Sequence, residues 1–178
     1  MPNRYNRFQS LLHWLTALAL VFLLITGTFV LEGIPNSDPE KLGKLTIHAG
    51  VGALALLLII SRIIWSLLSK QPPHVTTGSP LMNKLGAAAP KVLNLLSLIV
   101  VVSGVAMGVG SGLIELILTG VGQLPEDFKG SPIRIVHGLG SKLLIAGVLL
   151  HIVAALVHQL VIKDGILSRI SPFARGDK

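Results

Sequence analysis

Four stretches of this chain are too apolar and too long for a water-soluble fold. Phe8–Leu31, Leu45–Leu68 and Val92–Leu113 each exceed the roughly 20 residues that a helix needs to cross a bilayer, and a fourth run extends from about Ile133 to Ile162. In hydrocarbon every backbone N–H and C=O must be satisfied within the segment, so each run is expected to be a helix. Charged residues make up 13% of the chain, and its mean hydropathy is +0.75. A soluble domain carries about twice that charge. The first run is too long for a cleavable signal and is followed by the acidic, Pro-containing "EGIPNSDPEK" rather than a small-residue cleavage site. The expectation is an all-α integral membrane four-helix bundle, one four-span domain over residues 1–178.

The net charge of +7 reads as topology and not as a nucleic-acid surface. With four spans, one side of the membrane receives Arg4, Arg7, Arg62, Lys70, Lys84, Lys91, Lys163, Arg169, Arg175 and Lys178. The other receives Lys41, Lys44, Lys129 and Arg134 among Glu32, Asp38, Glu40, Glu115, Glu126 and Asp127. Positive charge gathers on the cytoplasmic side, which puts both termini there. No cysteine is present, which removes disulfides and thiolate metal sites. "SKQPPHVTTGSPLMNK" reads as a connector between the second and third spans. After Gly104 the glycines speak against a straight continuation of the third helix, and "LIELILTGV" reads as a short interfacial helix.

Within the spans the unusual residues are histidines, which are costly in lipid without a partner. His137 and His151 stand fourteen residues apart in "HGLGSKLLIAGVLLH". Fourteen steps of 100° return to nearly the same helix face about 21 Å further along the axis. Counting from the span ends puts His13 and His151 in the cytoplasmic half, and His48 and His137 near the outer ends. Zinc would need three or four ligands, and no acid or cysteine lies beside these residues. Haem iron needs only two axial ligands, so two His pairs point to two haems, with His13 and His151 on one iron and His48 and His137 on the other. Gly50 and Gly52 after His48, and Gly138 and Gly140 after His137, would alone read as small residues that let helices touch; beside the histidines they read as clearance for a flat macrocycle.

Arg62 repeats the fourteen-residue interval on the second span, counted from His48, and should face the same seam at the inner level. It either binds an anionic or carbonyl-bearing group there or snorkels to the surface. His158, seven residues beyond His151, reads as a hydrogen-bonding or proton-transfer group at a substrate pocket. His74 reads as a solvated connector residue. Lys142, in mid-span, should reach outward to the surface or to a haem propionate. Lys41, Lys44, Lys129 and Arg134 stand where they could draw a small anion to the outer end.

"RYNRFQSLLHWLTALALVFLLITG", "IHAGVGALALLLIISR" and "VHGLGSKLLIAGVLLHIVAALVH" resemble the bacterial cytochrome b561 family, four-helix dihaem cytochromes of the inner membrane. The most specific elements are His13-Trp14, the His48–Arg62 interval and the His137–His151–His158 series. The resemblance covers nearly the whole chain. It implies two haem b groups on the same four histidines. It also implies electron transfer between periplasmic superoxide and membrane ubiquinone, with Arg62 and His158 near a quinone site. Helix three departs from the family, with Pro90, Asn94 and Val101 where relatives tend to carry histidine, tyrosine and proline. Two other classes stay open: a haem-carrying anchor subunit for a separate dehydrogenase or hydrogenase, and a haem-binding scaffold without turnover.

Overall fold

The computed structural model describes residues 3–73, 76, 79–128 and 130–173, so His74, Lys129, Arg175 and Lys178 lie outside the described residues. Every regular element among these residues is helical. Helix α1 (Arg7–Ile25) starts at Asn6, whose side chain accepts from the Gln9 N–H at 2.8 Å. It passes into a π-helical stretch, Thr26–Leu31, which completes a 25-residue span. Lys41 opens α2 (Lys41–Leu68) and folds back over the end of the first span. Its Nζ donates to the carbonyls of Leu31 at 2.5 Å and Ile34 at 2.6 Å, a cation set on carbonyls that a helix end leaves free.

Helix α3 (Pro80–Gly110) differs from its apolar run at the start. It begins twelve residues before Val92 and runs through Pro90. Ser79 accepts from Met82 N–H, and Pro80 occupies the first turn, where its missing N–H costs nothing. The Ala87–Ala89 triplet carries the helix on through a polar segment, so caps and propensity set its beginning, not apolarity. The far end also differs: the helix continues past Gly104 and Gly108 to Gly110. Gly112, at φ 72°, then turns the chain into the expected short helix, α4 (Leu113–Thr119). Leu113 of α4 joins Leu31 and Leu45 in a small outer cluster.

Helix α5 (Pro132–Val157) ends in a second π-helical stretch, His158–Ile162, and α6 (Ile166–Arg169) follows. The main core joins Ala19, Leu20, Leu23, Ala55, Ile59, Val100, Val101 and Leu144. Among the described residues four helices are long and apolar enough to span a membrane, and large apolar side chains such as Leu18 (66% exposed) and Leu150 (71%) face outward from them. That surface is tolerable only in lipid. The protein is an integral membrane protein.

The packing order positions the site. Helix α5 packs on α3, α3 on α2, and α2 on α1, whereas α5 makes no comparable packing with α1 or α2. A seam therefore runs between α5 and the α1–α2 pair.

Candidate functional site

Two of the span histidines, His13 and His151, meet across this seam. At the inner end the rings of His13 and His151 approach with centroids 6.4 Å apart and planes inclined by 63°. Arg62 of α2 arrives at the same level, one guanidinium nitrogen 3.4 Å from His13 Nδ1. The interval counted from His48 thus places Arg62 against the seam, not free at the surface. Trp14 stands edge-on to His13 and donates its indole N–H to the Ile170 carbonyl at 3.2 Å, tying α1 to the chain after α6.

At the outer end two short hydroxyl–glycine sequences cradle the rings. Thr26 Oγ1 lies 3.2 Å from His48 Nδ1, and the Thr26 hydroxyl donates to the Phe22 carbonyl at 2.8 Å. With its proton so used, the oxygen is left as an acceptor for the His48 Nδ1–H. His137 Nδ1 sits 2.8 Å from the Val100 carbonyl and 3.3 Å from Ser103 Oγ, which itself donates to that carbonyl. A Cβ on Gly27 would meet His48 Cε1 at 3.3 Å; one on Gly104 would meet His137 Cε1 at 2.9 Å. Each glycine follows its hydroxyl residue directly, so Thr26-Gly27 and Ser103-Gly104 do the same work on different helices. Sequence reasoning missed both; the repeated hydroxyl-Gly pair was the available signal. His48 and His137 are close enough to act on each other electrostatically.

The glycines singled out from sequence divide. Around Gly50 and Gly52 a side chain would meet nothing within 4 Å. Gly140 instead meets Val100 Cγ2 at 3.0 Å and Gly138 meets the Arg134 guanidinium at 2.7 Å, so these two accommodate neighbouring protein. A cavity of about 110 Å³ also opens beside His48, lined by Phe22, Thr26, Val30, Ile47 and Lys44.

The outer cations are not a free field. Lys41 is buried on two carbonyls and Lys44 pairs with Glu40 at 2.7 Å. Only Arg134 of the described set is left without an acceptor. Lys142 is exposed on α5. His158 gains a partner that the sequence reading did not name: its Nδ1 lies 2.5 Å from Asp164 Oδ2. Burial acts to raise the Asp164 pKa, but the hydrogen bonds from His158 and from Ile166 N–H outweigh it and hold the carboxyl below its ordinary 3.8. Val101, one of the departures in helix three, is buried in the apolar core.

The spacing of the inner pair is that of two imidazoles sharing one metal. No group of three or more His, Cys, Asp or Glu among the described residues could hold a bare metal ion. Metal–nitrogen bonds of about 2 Å on each side of an iron, plus roughly 1 Å from nitrogen to ring centre, ask for centroids about 6 Å apart. The inner pair stands at 6.4 Å. At the outer end both Nδ1 atoms are directed to oxygen acceptors, which leaves Nε2 as the lone-pair nitrogen of each ring, the usual arrangement of a metal-binding histidine.

The sequence model described as prokaryotic cytochrome b561 matches residues 4–172. A probable superoxide oxidase CybB of Yersinia pestis is 29% identical over 180 residues, covering 99% of this chain and 100% of that one. Cytochrome b561 homolog 2 of Escherichia coli K12 is 23% identical, covering 95% and 92%. Cytochrome b562 of Cereibacter sphaeroides is 28% identical, covering 93% and 94%. With the family matched over almost the full chain and a histidine-lined seam between its spans, the protein belongs to the prokaryotic cytochrome b561 family, membrane cytochromes of b-type haem.

Proposed function

We propose that the protein carries electrons from periplasmic superoxide to membrane ubiquinone in the bacterial inner membrane, with both termini cytoplasmic. Two haem b groups would be held across the seam, the inner by His13 and His151, the outer by His48 and His137, and they supply one-electron redox chemistry. Each superoxide gives up one electron and leaves as O2; ubiquinone takes two electrons and two protons to become the quinol. Two superoxide anions are therefore consumed per quinone.

The residues divide these tasks by position. Thr26, Val100 and Ser103 orient the outer rings. Arg62 offers a cation at the inner end, where a quinone carbonyl would gain negative charge on reduction. His158, oriented through Nδ1 by Asp164, can hold and pass a proton at Nε2. The observation that carries the reading is the paired-histidine seam in a chain that matches a probable superoxide oxidase end to end.

The test begins with an absorbance spectrum and the haem content per chain of the purified protein, expected to be two. Superoxide is then mixed with the protein and a water-soluble quinone analogue under stopped-flow observation. Haem reduction followed by quinol formation at one quinol per two superoxide supports the proposal. Haem that superoxide does not reduce, but that a separate dehydrogenase or hydrogenase does, would replace it with the anchor-subunit reading.

A further inference from the structure

We infer that Lys41 is a positioning residue for His48: its ammonium holds the π-helical register of Thr26–Leu31, and that register sets Thr26 and Gly27 against the His48 ring. The inference rests on the proposed assignment of His48 as a haem ligand. It follows from which face of α2 meets the two ends of the π-helical stretch.

Lys41, Leu45 and His48 stand at i, i+4 and i+7 on α2 and so form one stripe. Each member meets the outer end of the first span. Lys41 Nζ donates to the Leu31 carbonyl at 2.5 Å and to the Ile34 carbonyl at 2.6 Å. Leu45 is buried in one cluster with Leu31. His48 Nδ1 lies 3.2 Å from Thr26 Oγ1, and a Cβ on Gly27 would meet His48 Cε1 at 3.3 Å. The stripe therefore touches both the first and the last residue of the stretch.

An α-helix could not present both. Five steps of 100° would turn Leu31 roughly 140° away from Thr26. A π turn closes on the fifth residue, so residues five apart return to one face. The Glu32 N–H accordingly donates to the Gly27 carbonyl, five residues back, at 3.1 Å. Such turns are rare, so this one needs a hold that an ordinary helix end does not. Lys41 supplies it. It is a cation only 6% exposed, and its burial is offset by the two carbonyls it bonds. The Ile34 N–H also reaches the Leu31 carbonyl, but at 3.4 Å. Lys44 does not share the task, because its ammonium is taken by Glu40 at 2.7 Å. Without the Lys41 ammonium the stretch closes as α-helix and Leu31 turns away from the stripe. Helix α2 then loses the contact that fixes its rotation against α1, and His48 draws away from Thr26. Lys41 acts through the backbone of the first span and not as a charge beside the ring.

Hydrogen exchange and EPR of the haem-loaded protein in detergent test this. Lys41→Met should speed exchange of the Glu32 N–H about tenfold. It should also shift the low-spin g values of the haem that His48→Ala removes or converts, and leave those of the other haem in place. Lys41→Arg, which keeps donors for both carbonyls, should restore both readouts. Thr26→Val should shift the same g values with Glu32 exchange unaltered. Lys41→Met added to Thr26→Val should shift them no further, because the tie between His48 and the first span is already broken. Should Lys41→Met not assemble, Lys41→Gln, whose shorter amide cannot span both carbonyls, is read in its place. Unchanged exchange overturns the inference. Faster exchange with unchanged g values also overturns it, since Lys41 would then cap the loop alone. An additive shift in the double variant does the same, since Lys41 would then act on the iron by its charge. If His48→Ala leaves both haems low spin, the ligand assignment falls and this inference with it; the exchange result separates that failure from a failure of the Lys41 hold.

Discussion

At Gly104 there is little room beside His137. A methyl group there would stand 2.9 Å from His137 Cε1 and 3.3 Å from Nδ1, and the ring cannot retreat without leaving the Val100 carbonyl. Gly104→Ala is expected to cost about 1–3 kcal/mol in overpacking and, on the proposed ligand assignment, to lose the haem of the His48–His137 pair or turn it high spin. Gly27→Ala, at 3.3 Å from His48 Cε1, should be milder. Haem per chain and the low-spin absorbance decide it; a full low-spin complement in Gly104→Ala would show that the ring is not confined there. Asp164 carries a pH dependence of its own. Its folded pKa lies below 3.8, so the stabilisation it gives is complete above that value and is lost as pH falls through the lowered one. Asp164 accepts from Ile166 N–H at the start of α6, and the Ile170 carbonyl just past α6 accepts from Trp14. Trp14 fluorescence should therefore change on acidification, and Asp164→Asn should flatten that change. An acid transition that persists unaltered in Asp164→Asn would place the titrating group elsewhere.

Helix α5 meets α3 through two small residues seven positions apart. Gly140 faces Val100 Cγ2 at 3.0 Å and Gly147 faces Leu93 Cδ2 at 2.9 Å. Small residues let helices approach in lipid, where apolar burial gives no preference for protein over solvent. The two contacts should differ in sensitivity. Leu93 can turn its side-chain end away, while Val100 is β-branched, buried, and holds His137 through its carbonyl. Gly140→Ala is thus expected to lower the thermal unfolding midpoint in detergent more than Gly147→Ala does, and to disturb the outer haem spectrum. Equal effects would argue against this link between packing and site. The existence of four spans was legible at this scale because apolarity over about 20 residues is a local property. The ends were not. Ser79 and Pro80 start α3 well before its apolar run, and Gly104 and Gly108 do not stop it, because His137 of α5 and Ile114 of α4 need them small.

Across the whole molecule, one helix serves both ends of the seam, so the four histidines should fall into two matched classes. His13→Ala and His151→Ala should remove or convert one haem, and His48→Ala and His137→Ala the other, read as haem per chain and by redox titration. Grouping of His13→Ala with His137→Ala would overturn the depth assignment. The sequence by itself determined the helical architecture and the positions of the histidines along each helix. Backbone hydrogen bonds in lipid close within a segment, and a fixed 100° step converts fourteen residues into one face. Only the tertiary structure decided that α5 leans on α3 and leaves a seam toward α1 and α2. It alone set Arg62 against His13, gave Asp164 to His158, and turned Thr26 and the Val100 carbonyl toward the outer rings. Such contacts join residues far apart in the chain or in the bend after a helix. They depend on which side chains leave room for which neighbours, and no period in the sequence records that.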